Sequence, residues 1–173
     1  NLKKGSNYIF IFIGIVLSMN LVMQISGTMA IYYFRYVSGK ESLFSVYQAF
    51  AGIAEISGLI LLPMLTKKIG RENVFKLGSI LPIVGFLILF VAGIIAPQNA
   101  IFIAIAGTVL KLGSGSLLGS TTIMLADVVD YGEYKLGTRN ESIVFSVQTL
   151  LVKGASAVAG WLVGVGLSLV GYV

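Results

Sequence analysis

The sequence predicts an all-α fold, a polytopic membrane bundle of five transmembrane helices. Hydrophobic residues make up 57% of the 173-residue chain and charged residues only 11%, about half the charged share of a soluble domain. A membrane span needs about 20 consecutive, mostly apolar residues. Five such stretches, at 8–34, 43–66, 74–96, 99–125 and 142–171, alternate with charged or Pro/Asn-containing turns. That pattern excludes a soluble globular fold.

The net charge of +5 reflects topology rather than a nucleic-acid partner. If the helices alternate direction, Lys3, Lys4, Lys67, Lys68, Arg71, Lys76, Lys135 and Arg139 fall on one side, and only Arg35 and Lys40 on the other. By the positive-inside rule, residue 1 and the loops near Lys67 and Lys135 are expected in the cytoplasm. Cysteine and histidine are both absent, which removes disulfides, thiol catalysis, haem and histidine-based metal or proton chemistry. The first span is too long for a signal peptide and lacks a small-residue cleavage pattern. Five spans, a first residue other than Met and an end at Val173 lead to the expectation of a piece of a larger protein.

The first span places Asn20 and Gln24 one helical turn apart, followed by Ser26-Gly27-Thr28. This polar cluster is expected to turn away from lipid and to loosen the helix, as in interrupted transporter helices. Tyr32, Tyr33, Phe34 and Tyr36 fall where an aromatic interface belt belongs. The second span carries Gln48, Gly52 and Glu55 along one stripe, with Glu55 near mid-membrane and Pro63 in the last turns. A basic turn, Thr66 to Glu72, leads into the third span. That span is uniformly apolar, with a kink expected at Pro82, and suits a lipid-facing helix. The turn Pro97-Gln98-Asn99 precedes the fourth span, which holds Lys111, Gly113-Ser114-Gly115-Ser116 and Gly119. Ser146, Thr149, Lys153, Ser156 and Gly160 form a polar and small stripe on the fifth.

Lys153 is the sharpest functional signal. It sits more than about 15 Å from either end of its helix at 1.5 Å rise per residue, too deep to snorkel. Intramembrane ionisable residues usually mark a pathway, and an ammonium there needs a carboxylate or a water-filled cavity. Glu55 and Lys111 lie at similar depth, so an internal ion pair between two of the three is expected, functional or simply structural. Asn20 and Gln24 suit either a solute cavity or interhelical hydrogen bonding. The glycine and serine runs read as packing surfaces.

Asp127, Asp130 and Glu133 recur every third residue, so on a helix end they share a face. Oxygen ligands suit calcium or magnesium, but an EF-hand pattern is absent and Lys135 and Arg139 stand close enough to neutralise the acids. Ion pairs at a cytoplasmic mouth, made in one conformation and broken in another, fit better than a metal site or a solvated loop. With no His, no Cys and no metal-ligand spacing to carry the chemistry, an intramembrane enzyme is not expected.

The run Ala126-Asp127-Val-Val-Asp130-Tyr-Gly-Glu133-Tyr-Lys135-Leu-Gly-Thr-Arg139-Asn-Glu141-Ser, followed by Phe-Ser-Val-Gln148-Thr149-Leu-Leu-Val-Lys153, resembles the glycoside–pentoside–hexuronide:cation symporters. These form the melibiose-permease-like branch of the major facilitator superfamily. The turn Lys67-Lys68-Ile-Gly70-Arg71 is similar to a loop motif of that superfamily. The resemblance implies that residues 1–173 form a partial C-terminal transmembrane bundle, about helices seven to eleven of twelve. It implies a plasma (inner) membrane protein in which a sugar or glycoside and a coupling sodium, lithium or proton share a cavity between two halves. The cation would be bound mainly by the missing N-terminal half, which together with helix twelve and membrane lipid completes the set of partners.

The resemblance places Lys153, with Thr149 and Gln148 a turn away, at the cavity. Asn20, Gln24 and Glu55 are added to that wall from their depth. Asp127, Asp130, Glu133, Arg139 and Glu141 would form the cytoplasmic gate. Lys111 matches no family position. Two other readings stand beside cation-coupled sugar symport by alternating access: a same-fold facilitator for a lysolipid or drug, and a non-transporting membrane fragment.

Overall fold

The computed structural model describes residues 2–137 and 141–171, with side-chain surroundings from Ile11 onward except for Phe12, Lys135 and Leu136. Among the described residues the chain forms α-helices α1 (Leu2–Tyr32), α2 (Ser42–Ile69), α3 (Arg71–Ile95), α4 (Ala100–Leu136) and α5 (Glu141–Val170). A π-helical turn, Tyr33–Val37, follows α1. All five helices are long and apolar enough to cross a membrane, so the chain is an all-α, multi-pass membrane protein. Its residues divide into two compact units: Ile31–Ala126, and Asn1–Ala30 with Asp127–Val173.

In the unit Ile31–Ala126, α4 packs against both α2 and α3 through glycines. A Cβ on Gly58 of α2 would stand 2.5 Å from the Leu112 carbonyl oxygen of α4, and one on Gly115 would collide with the Glu55 backbone. On the α3 side, a Cβ on Gly85 would lie 2.6 Å from Leu110, and one on Gly113 would lie 2.5 Å from the Pro82 ring. Backbones approach this closely in lipid only where side chains are small, because dispersion between helices has to outdo dispersion with lipid tails. The serines in the same run are buried, and their hydroxyls are satisfied within α4: Ser114 donates to the Leu110 carbonyl at 3.0 Å and Ser116 to that of Leu112 at 3.1 Å. The opposite surface of α3 exposes Ile80, Ile83, Leu87, Phe90 and Ile94, an apolar face suited to lipid.

Where α1 meets α2 the structure departs from the sequence expectation. Phe34 is fully buried rather than in an interface belt, its ring 5.4 Å from Tyr47 and 5.8 Å from Phe44. The π turn widens the backbone by one residue and so faces Phe34 inward. Tyr33 then donates its hydroxyl to the Leu89 carbonyl of α3 at 2.8 Å, and buried Ser38 donates to the Pro97 carbonyl at 2.6 Å. Arg35 pairs with Glu41 at 3.2 Å across the exposed turn. Tyr32 and Tyr36 stack with ring centroids 6.4 Å apart.

Short connections are set by local chemistry. Gly70 takes φ 83° between α2 and α3 while its N–H bonds the Thr66 carbonyl, a left-handed conformation that glycine adopts without a Cβ penalty. Asn99 caps α4, its side-chain oxygen accepting from the N–H groups of Ile101 and Phe102 at 3.0 and 3.4 Å. Pro63 and Pro82 lie within helices that continue through them.

In the other unit, α1 is unbroken across the polar cluster where an interruption is expected. The reason is local satisfaction. Asn20 donates to the Val16 carbonyl at 2.8 Å, and the Ser26 and Thr28 hydroxyls bond the carbonyls of Val22 and Gln24. Along α5, Ala155, Ala159, Val163 and Leu167 are buried at every fourth residue, the stripe expected for a helix packed on one face.

Candidate functional site

Three groups of residues singled out in the sequence occupy distinct places. The first lies in the unit Ile31–Ala126. Glu55 is thirteen residues from Ser42 and fourteen from Ile69, at the middle of α2. Lys111, on α4, places its Nζ 3.2 and 3.3 Å from the two Glu55 carboxylate oxygens. Their side chains are 29% and 28% exposed. The pair forms because Gly107, Lys111, Gly115 and Gly119 recur every fourth residue on the α4 face toward α2, and Glu55 stands over that stripe. Of the three intramembrane charges expected to supply an internal ion pair, Glu55 and Lys111 form it, and Lys111 is the one that matches no family position. Its depth and its place in the four-residue glycine stripe were the available signals.

The second group lies in the other unit. Lys153 is near mid-helix in α5 and exposed. Among the described residues it makes no ion pair, so its ammonium is available to a partner. Ser146 and Thr149 donate to the carbonyls of Ser142 and Phe145 at 2.6 and 2.9 Å. Gln148 is half-buried, as are Asn20 and Gln24 on α1.

The third group is the acidic run. α4 continues past the expected span end at residue 125 to Leu136, so Asp127, Asp130 and Glu133 lie on helix. All three are exposed. Glu141 occupies the first turn of α5, where a carboxylate is favoured by the helix dipole. Arg139 lies outside the described residues. Among the described residues no three carboxylates converge closely enough for a metal ion.

Comparison with known proteins gives the family of this helix bundle. Residues 4–173 match the profile described as MFS/sugar transport protein. The chain belongs to that family, in its glycoside–pentoside–hexuronide branch. It is 34% identical to the isoprimeverose transporter of Lactiplantibacillus pentosus over 92% of this chain and 33% of the relative. It is 32% identical to the raffinose carrier protein of Pediococcus pentosaceus over 82% of this chain and 22% of the relative. With the glucuronide carrier protein homolog of Escherichia coli K12 it shares 27% identity, over 99% of this chain and 37% of the relative. The chain thus spans between 22% and 37% of the length of these relatives, all of which bear the names of transporters or carriers and not of enzymes.

Proposed function

We propose that this chain forms part of the C-terminal half of a secondary transporter that carries a sugar or glycoside together with sodium, lithium or a proton by alternating access. The observation that carries the reading is Lys153: an exposed ammonium at mid-span, without an ion-pair partner among the described residues of its own chain. A charge at that depth is tolerated where it meets a carboxylate or water, which fits a cavity wall completed by the other half of a transporter. Gln148 and Thr149 add hydrogen-bonding groups on the same helix, and Asn20, Gln24 and Glu55, each near the middle of its own span, are the polar groups we add to that wall. The relatives named for isoprimeverose, raffinose and glucuronide support a saccharide as solute.

Coupling follows from charge. A cation entering among cavity carboxylates offsets their repulsion and changes which conformation is lower in free energy. The chief cation ligands would lie outside these residues. Asp127, Asp130, Glu133 and Glu141, with Arg139, would close the cytoplasmic side. The basic residues near Lys67 and Lys135 favour that side as cytoplasmic and the plasma (inner) membrane as the location.

Uptake of labelled sugars into vesicles containing the complete transporter, under sodium, lithium or proton gradients, tests the reading. Accumulation driven by one of these gradients is the expected result. Absence of any sugar accumulation under all three would overturn it.

A further inference from the structure

We propose that α1 carries a built-in hinge: Tyr33–Ser38 is a fixed clasp on α2 and α3, and the helix flexes just before it, at Ser26–Ala30, so that its N-terminal length swings as a lever. The inference rests on the transporter reading and goes beyond it by naming which residues stay still and which bend.

The clasp is defined by contacts that hold it from several directions. The Ser38 N–H bonds the Tyr33 carbonyl five residues back at 3.0 Å, closing the wide ring of a π turn. The Ser38 hydroxyl donates to the Pro97 carbonyl just past α3 at 2.6 Å, and the Tyr33 hydroxyl to the Leu89 carbonyl within α3 at 2.8 Å. Phe34, fully buried, sets its ring 5.2 Å from Tyr33, 5.8 Å from Phe44 and 5.4 Å from Tyr47, spacings at which aromatic pairs attract. Gly107 of α4 lies close behind Tyr47, since a Cβ there would stand 2.9 Å from the tyrosine ring. Every one of these partners belongs to the compact unit Ile31–Ala126. To move Phe34 out of this cluster would open a void and break two long-range hydrogen bonds together.

The residues just before the clasp have the opposite character. Ser26 donates to the Val22 carbonyl at 2.5 Å and Thr28 to the Gln24 carbonyl at 2.9 Å. Hydroxyls bonded back onto their own helix in this way weaken it slightly and bend it. Gly27, between them, is a poorer helix former than every residue but proline. The π turn begins five residues after Thr28. Gly/Ser pairs and π turns are among the few established causes of helix kinks, and here both occur within two turns of each other. Because α1 stays closed across the run, the run supplies compliance rather than a break. The division between the two compact units also falls here, between Ala30 and Ile31 inside a continuous helix. Ile11 lies seventeen residues before Thr28, about 25 Å at 1.5 Å per residue, so a kink of about 20° carries it about 9 Å. Asn20 and Gln24 ride on this lever, whereas Glu55 and Lys111 belong to the unit that holds the clasp.

The test is pulsed electron paramagnetic resonance on the complete transporter in nanodiscs, without added solute. The chain has no cysteine of its own, so nitroxide labels go on introduced ones. Ile80→Cys on α3 is the common reference, combined in one sample with Ile11→Cys on the lever and in another with Val37→Cys on the clasp. The Val37–Ile80 distance is expected to be single and narrow. The Ile11–Ile80 distribution is expected to be broad or two-peaked, extending over about 9 Å. Ser26→Ala with Gly27→Ala stiffens the hinge and favours the helix, so the fold is kept. This pair of changes should narrow the Ile11–Ile80 distribution to one peak, leave Val37–Ile80 unchanged and slow sugar uptake. A single narrow Ile11–Ile80 distance in the unmodified hinge overturns the proposal. So does a Val37–Ile80 distribution as broad as that of Ile11–Ile80, or a broad Ile11–Ile80 distribution that survives stiffening. A broad distribution that narrows on stiffening, in a transporter that takes up no sugar under any gradient, sustains the hinge and removes the sugar reading.

Discussion

Tyr33 and Leu89, 56 residues apart in the chain, are joined by a 2.8 Å hydrogen bond from the tyrosine hydroxyl to a main-chain carbonyl in α3. Gly93, one turn on, leaves the room: a Cβ there would stand 3.0 Å from that hydroxyl. The bond ties the π turn after α1 to α3. In the apolar setting of a membrane protein the hydroxyl has few alternative partners, so its loss should register.

Replacing Tyr33 with Phe is expected to lower the stability of the complete transporter by about 0.5–1.5 kcal/mol, the net worth of one such hydrogen bond. Gly93→Ala should act in the same direction by crowding the hydroxyl. The double variant should cost less than the sum, since both changes disturb one contact. Thermal unfolding in detergent measures all three, and full additivity would mean that the two residues act independently.

Gly115→Ala is expected to be much more damaging than Gly52→Ala. The first drives a methyl group into the Glu55 backbone, whereas the second points into open space. Overpacking of this kind typically costs about 1–3 kcal/mol, while alanine for glycine in an unobstructed helix adds up to about 1 kcal/mol of stability. A shift in melting temperature of opposite sign for the two variants checks the prediction.

Lys153→Ala should abolish gradient-driven sugar accumulation while expression stays at the wild-type level, if Lys153 meets the solute or its coupled carboxylates. Lys153→Arg retains the charge but not the compact ammonium, and is expected to recover only part of the activity. Normal accumulation by Lys153→Ala would remove Lys153 from the transport cavity.

Asp130→Asn in the acidic run should leave sugar binding near its wild-type affinity and slow net transport, the signature of a gate rather than a binding site. Equilibrium binding and uptake rates measured on the same preparation separate the two. A loss of affinity equal to the loss of rate would contradict a gating role.

The helical, membrane-spanning class is legible in the sequence because length and apolarity are one-dimensional properties. Glu55 and Lys153 stand out for a similar reason: an isolated charge in an apolar run needs no neighbour to be noticed. The partner of Glu55 is harder to read. Lys111 is 56 residues away, and whether the two meet depends on which stripes of α2 and α4 face each other. The glycines flanking Lys111 on the same stripe set that alignment only once the helices are packed. The inward turn of Phe34 is less legible still. A π turn carries no strong residue signature, and Tyr-Tyr-Phe beside a membrane end reads equally well as an aromatic belt. The unbroken α1 shows the complementary error. A run of polar side chains suggests a weakened helix, although each of Asn20, Ser26 and Thr28 closes a bond onto its own backbone.

Those self-closing bonds have a mechanical consequence. Asn20, Ser26 and Thr28 on α1, and Ser146 and Thr149 on α5, donate to carbonyls four residues earlier in their own helix. A hydroxyl satisfied in this way has its one donor spent and makes no such claim on the neighbouring helix. The hydroxyls on α1 and α5 can therefore trade one neighbour for another, protein for water or water for lipid, without being stranded along the way, whereas the Lys153 ammonium still needs a carboxylate or water. These hydroxyls, folded back onto their own helix, offer no resistance to its rocking.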